Sequence, residues 1–255
     1  MLQATKFPFA GTAWKWLTDP DALDANELID PFDLAIYKVL PSVDGTAAPT
    51  LDRTDETYEP DHSDAKAFQA IHQQALGQAI AALPHNGRIV AGNTKTVFPD
   101  ASAKMAKLFD LAMPVAAIGS NVTAGTGGVG PCVALLARVP VGNRLRVGCI
   151  HLSANDMSTL KLAADSLNRL LTEMSKISPD PNTGPVELYA IGGSQDNGIA
   201  YEEFSRVIAA AQIRQAAQPV VPVHLVGALV PASLDGQYVD VHIGATGVTY
   251  SINQR

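Results

Sequence analysis

Apolar residues recur at helical spacing in a few long stretches and alternate or run together in several short ones. Phe68, Ile71, His72, Leu76, Ala79, Ile80 and Leu83 predict a helix that begins at a Ser63 cap and stops at Pro84-His85-Asn86-Gly87. Met157, Leu160, Ala164, Leu167, Leu171 and Met174 predict a second, from about Asp156 to Lys176. A third runs from Glu202 to Ala217 through Phe204, Val207, Ile208 and Ala211, and a shorter one follows an Asp100 cap with Met105, Leu108 and Phe109. Strands are predicted at 88–91, 115–118, 132–139, 145–152, 186–191, 220–229, 238–243 and 247–252, with a further one at 34–40. Residues 120–130 read as a glycine-rich loop. The turn holding Pro140, Gly142 and Asn143 is too short for a crossover helix, so 132–139 and 145–152 pair as an antiparallel hairpin. The expected class is α/β: one sandwich over 61–255, with a mixed, largely antiparallel sheet flanked by helices. Residues 1–60 are expected to be an irregular appendage packed on that core.

Composition narrows the function classes. The chain has 255 residues, and 47% of them are hydrophobic against 17% charged, which excludes a disordered tail protein. A net charge of −7 without a Lys/Arg cluster argues against nucleic-acid or anionic-membrane partners. Two cysteines, Cys132 and Cys149, do not make a disulfide framework. No classical signal peptide and no apolar run of transmembrane length is present, so a cytoplasmic protein, or one exported by a signal-independent route, is expected.

Gly125-Thr126-Gly127-Gly128-Val129-Gly130 matches G-x-G-x-x-G. A dinucleotide site would need a helix directly after it and an acidic residue about 20 positions on. Pro131 and a β-rich segment follow instead, and residues 140–150 contain no Asp or Glu, so no nucleotide cofactor is expected. Glycines also let a substrate approach the backbone and aim N–H groups into a cavity, which suits a nucleophile placed just after them. Cys132 stands there. It opens one strand of the hairpin and His151 ends the other, so pairing brings a thiol beside an imidazole. Cys149 is the rival thiol. It lacks the glycine approach, and a packing role suits it better.

The segment Thr126-Gly127-Gly128-Val129-Gly130-Pro131-Cys132-Val133-Ala134-Leu135-Leu136-Ala137-Arg138, followed by Arg146-Val147-Gly148-Cys149-Ile150-His151, resembles the Cys–His protein glutamine deamidases. That group includes the chemoreceptor glutamine deamidases, the cytotoxic necrotizing factor catalytic domains and the Burkholderia lethal factor. In it a cysteine opens a hydrophobic strand and a histidine follows on the neighbouring strand; in the chemoreceptor enzymes and the lethal factor a threonine lies six residues before the cysteine. Tyr189-Ala190-Ile191-Gly192-Gly193-Ser194 is similar to a later strand of the chemoreceptor enzymes. The resemblance implies Cys132 as nucleophile, His151 as base and Thr126 as orienter of the imidazole. Gly127, Gly128 and Gly130 would form the substrate and oxyanion loop. It further implies hydrolysis of a glutamine side-chain amide on a protein substrate, or transfer to an amine by the same route; the toxins of the group imply a secreted effector or toxin with a host-protein substrate, the chemoreceptor enzymes a bacterial substrate. Where the family carries Ser or Gly before the cysteine, this chain has Pro131, which has no N–H to give an oxyanion.

Other candidates carry less. His62, His72, His85, His224 and His242 show no metal-ligand spacing, so no metal is expected. Asn155 and Asp156 read as helix caps, and Ser194-Gln195-Asp196-Asn197 as a polar turn. Trp14 and Trp16, with Phe7, Phe9 and Tyr37, read as anchors of the N-terminal segment. The alternative to an enzyme is a non-catalytic α/β binding or assembly protein with Cys132 buried.

Overall fold

A computed structural model describes residues 80–81, 83–93, 104–108, 112–177, 184–195, 197–216, 222–232 and 234–254. Contacts divide the chain into two units, Met1–Ala79 and Ile80–Arg255. The expected boundary near residue 60, the strand at 34–40, the aromatic residues before it, and all but the end of the 63–83 helix lie outside the described residues. So do His62 and His72.

The second unit is α/β. After a short 3-10 turn (Asn86–Arg88) come β1 (Ile89–Ala91), β2 (Lys104–Ala106), β3 (Val115–Gly119), β4 (Ala124–Val129), β5 (Val133–Val141) and β6 (Arg144–Leu152). They are followed by α1 (Ala154–Met157), α2 (Leu160–Ile177), β7 (Val186–Gly192), α3 (Gly198–Ala216), β8 (Val223–Leu229), β9 (Gln237–Gly244) and β10 (Gly247–Gln254). The strands form two sheets rather than one, ordered β1-β10-β9-β4-β2 and β3-β6-β5-β7-β8. Both are mixed: β1/β10, β2/β4 and β7/β8 run parallel and the other pairs antiparallel.

The sheets face each other across a shared apolar layer. Ala134 and Leu136 of β5, Val147 and Cys149 of β6, Val239, Val241 and Ile243 of β9, and Val129 of β4 all belong to it. The opposite face of the second sheet carries the helices. Leu135, Ile150 and Leu152 are fully buried, each contributing roughly 1.5–3 kcal/mol of burial. Gly148 lets α2 come close: a Cβ there would lie 2.8 Å from Met174 Cγ and 3.0 Å from Leu170 Cδ1.

Several expectations change. The glycine stretch is not a loop but strand β4, because paired glycines lie flat against β9: a Cβ on Gly125 would collide with the Val241 carbonyl. The short helix after Asp100 is not found; Lys104–Ala106 instead form β2, paired in parallel with Ala124, Gly125 and Thr126. The long helix breaks at Ser158–Thr159, where Thr159 Oγ1 accepts the Leu162 N–H at 3.2 Å and starts α2 afresh. The buried stripe of α2 is Ala163, Leu167, Leu170 and Met174, rotated slightly from the predicted face. The hairpin is as expected, with Val141 opposite Arg144 and Gly142 at φ +60° in a two-residue turn.

One end of the space between the sheets is tied by charge. Arg138 and Glu187 stand opposite each other on β5 and β7, with Nε and Oε2 2.8 Å apart. Arg138 also donates to the carbonyls of Gly244 (3.2 Å) and Ala245 (2.7 Å), so one side chain links both sheets. His85 and Arg88 approach the same Glu187 carboxylate. At the other end, β5 follows directly on Cys132.

Candidate active site

The register of β5 and β6 sets the first two members. Val133 faces Leu152 and Ala134 faces His151. Cys132, one residue before β5, therefore projects to the same side as Ala134, two positions along, and lies diagonal to His151. That side is the inter-sheet space: Cys132 packs against the inter-sheet cluster and is half-buried. Neither cysteine is in a disulfide. Cys149 is on the same face but wholly buried, and burial pushes its thiol far up.

The third member arrives from the other sheet. Thr126 on β4 is fully buried, and its Oγ1 is 2.8 Å from His151 Nδ1. The same oxygen lies 2.8 Å from the Ala106 carbonyl, to which it donates. A hydroxyl has one hydrogen and a carbonyl can only accept, so the Thr126 proton belongs to Ala106. The Thr126 oxygen must then accept from His151. This network assigns the imidazole proton to Nδ1 and leaves Nε2 with its lone pair. Nε2 is buried and has no hydrogen-bond partner among the described residues.

Burial lowers the His151 pKa from the ordinary 6.5 to about 4, with the nearby Asp156 charge opposing the shift. The ring is thus neutral at pH 7, a base rather than a standing cation. Asp156 is buried and locked in place. Burial works to raise its carboxyl pKa, but it accepts from Ser153 N–H (3.0 Å), Ser153 Oγ (2.7 Å) and Arg169 Nη2 (3.1 Å), and these bonds together hold it below the usual range. The cap expected at 155–156 is therefore a reciprocal one, with Ser153 as the capping residue and Asp156 answering it. Because Ser153 lies two residues after His151, the cap also fixes how β6 leaves the site.

His151 should leave a mark on stability. An unfolded histidine protonates near 6.5 and the folded one only near 4. Its neutral form is favourable to folding above 6.5, and that advantage falls by about 3 kcal/mol as pH drops from 6.5 to 4. Denaturant titrations over this window should show the fall in the parent protein and its absence in His151→Gln. Subtracting the two removes the contributions of Asp156, whose lowered pKa acts at more acid pH, and of Asp240, whose raised pKa has the opposite sign.

The glycines divide in role. β4 carries a bulge: Thr126 faces Val241 and Val129 faces Val239, so Gly127 and Gly128 together stand opposite Asp240. Gly128 has φ +73°, and its N–H donates to Asp240 Oδ1 at 3.0 Å, away from the inter-sheet space. It is therefore not an oxyanion donor, contrary to the expectation for this loop. Gly127 is half-buried and Gly130 buried. Two glycines expected only from resemblance matter more. Gly193 N–H donates to the Cys132 carbonyl at 3.0 Å, and Gly192, at φ +135°, passes so close that a Cβ would strike that same oxygen. Together they fix the backbone of Cys132 from the β7 side.

Of the remaining candidates, Asn155 is exposed and His224 is exposed on β8. His242 is buried on β9, on the face turned away from the site. Among the described residues no group of three or more His, Cys, Asp or Glu could hold a metal ion, and no helix is long and apolar enough to cross a membrane. No protein-family model matches the chain, and no curated protein matches it.

Proposed function

We propose that the protein is a Cys–His amidohydrolase that acts on the glutamine side chain of a protein substrate. The observation that carries this reading is the hydrogen bond from His151 Nδ1 to Thr126, which leaves Nε2, without a partner among the described residues, on the strand face shared with Cys132. A neutral base on the same strand face as a thiol, diagonal to it across the β5/β6 pair, suits thiol-based acyl transfer. The resemblance around Thr126, Cys132 and His151 supplies the choice of carboxamide as the group attacked.

In this mechanism Nε2 takes the Cys132 thiol proton as sulfur forms a bond to the carboxamide carbon. In this reading a backbone N–H at the start of β5 supports the oxyanion. The imidazolium, stabilised by the Asp156 charge, returns its proton to the amide nitrogen, and ammonia departs. A thioester remains. Water then adds to it while Nε2 takes the water's proton. Collapse of that adduct releases glutamate, and the proton goes back to sulfur.

The test is direct. The protein should release ammonia from glutamine-bearing proteins, with the matching change of Gln to Glu seen by peptide mass spectrometry. A glutamine analogue with a chloromethyl ketone in place of the carboxamide should alkylate Cys132. Cys132→Ala should fold as the parent does and release none. Ammonia release by that variant, or alkylation elsewhere than Cys132, would overturn the assignment.

A further inference from the structure

The segment from Thr126 to Cys132 is the bridge between the two sheets, and it carries both the orienter of the imidazole and the nucleophile. What grips it comes from the far side of β9. Asp240 alternates with Val239 and Val241, which face the inter-sheet core, so its side chain lies on the opposite face, yet it is only 5% exposed. Its Oδ1 accepts the Gly128 N–H at 3.0 Å, and its Oδ2 accepts from Asn253 Nδ2 at 2.9 Å. Asn253 Nδ2 also reaches Ser251 Oγ at 3.1 Å. Burying a carboxylate is costly, so one placed here needs a reason.

The bulge supplies it. In an unbroken strand Thr126 and Gly128 would share a face and Val129 would point the other way. With the extra residue, Thr126 and Val129 both face the inter-sheet space, and both are fully buried there. The Gly128 N–H is turned out of the ladder as a consequence, and a carboxylate oxygen receives it. We propose that Asp240 is a positioning residue for the Thr126–His151 pair, holding the bulge through Gly128 so that the Thr126 oxygen meets Nδ1. The inference rests on the thiol–imidazole reading of the site. It adds a residue that touches neither sulfur, imidazole nor substrate.

The nitrogen chemical shifts of the His151 imidazole report its tautomer without any substrate. Parent protein should show the proton on Nδ1. Asp240→Ala removes the acceptor of the Gly128 N–H, so the grip fails and the Nδ1–H signature should be lost, with averaged nitrogens in its place. Asp240→Asn keeps an oxygen for Gly128, and the Asn253 amide can turn to meet its NH2, so it should keep the signature. Circular dichroism identifies any variant that does not fold, and if Asp240→Ala is one, Asp240→Asn decides alone. Asp240→Ala with an unchanged signature, or a folded Asp240→Asn without it, overturns the positioning role and leaves the proposed function standing. Parent protein without the Nδ1–H signature overturns both.

Discussion

Replacing His151 by alanine is expected to lower ammonia release by about 10²–10⁴-fold, the usual contribution of a positioned general base. Among the described residues nothing else on the Cys132 side of the site replaces it: Asp156 is held by Ser153 and Arg169, and Cys149 is buried beneath. The milder companion is Thr126→Val, which keeps the shape of the side chain and removes the oxygen. The ring then loses the acceptor that fixes its proton on Nδ1. Nε2 becomes protonated in part of the population and cannot act as base there. A fall of roughly tenfold or more, equivalent to about 1.4 kcal/mol, is expected, with rate rather than substrate affinity affected. Melting temperatures of both variants separate loss of chemistry from loss of fold. A Thr126→Val protein as active as the parent would mean that the hydroxyl does not set the tautomer.

The largest structural effect is expected at Gly192. Alanine there would drive its Cβ into the Cys132 carbonyl, 2.9 Å from Val129 Cγ1 and 3.0 Å from Val133 Cα, at a φ of +135° that side chains rarely adopt. Backbone strain and overpacking of this kind each cost roughly 1–3 kcal/mol, so the variant should lose about 3 kcal/mol or more. For a unit of this size that is a drop of roughly 6–12 °C in melting temperature. Gly128→Ala is the control. It also sits at positive φ, but its Cβ would meet nothing within 4 Å, so about 1 kcal/mol is expected. Equal losses at the two positions would show that the contact with Cys132 contributes little.

Much of the second unit is legible in the chain because its signals are local. The hairpin can be read from a two-residue turn between apolar runs, and α2 and α3 from their periodicity. The α2 stripe was displaced because Ser158–Thr159 interrupt the helix, and a change of helix resets the phase. β4 was misread because glycine carries no β pattern: Gly125 and Gly127 become strand through what they lie against on β9, which no local window contains. β2 was misread for a related reason. Met105 and Leu108 fit a helical spacing, whereas three residues were captured by β4 as a parallel neighbour. The existence of two sheets is likewise a matter of long-range pairing.

The candidate site shows the same division. Cys132 and His151 follow from strand pairing alone, since the register of one hairpin decides both. Thr126 came from an offset shared with a family, and its contact with His151 crosses between sheets, so no spacing along the chain could derive it. The role of Asp156 was hidden behind its role as a cap. Asp240 is the polar member of the alternation Val239-Asp240-Val241, a pattern that usually marks a solvated face, whereas here Asp240 is buried.

The most direct measurement is alkylation of the two cysteines by iodoacetamide at pH 7, mapped by peptide mass spectrometry in the parent protein and in His151→Gln. The account predicts that Cys132 is modified while Cys149 stays intact, and that the change at His151 slows Cys132 by at least roughly tenfold. Equal Cys132 rates in the two proteins, or a Cys132 as inert as Cys149, would contradict it.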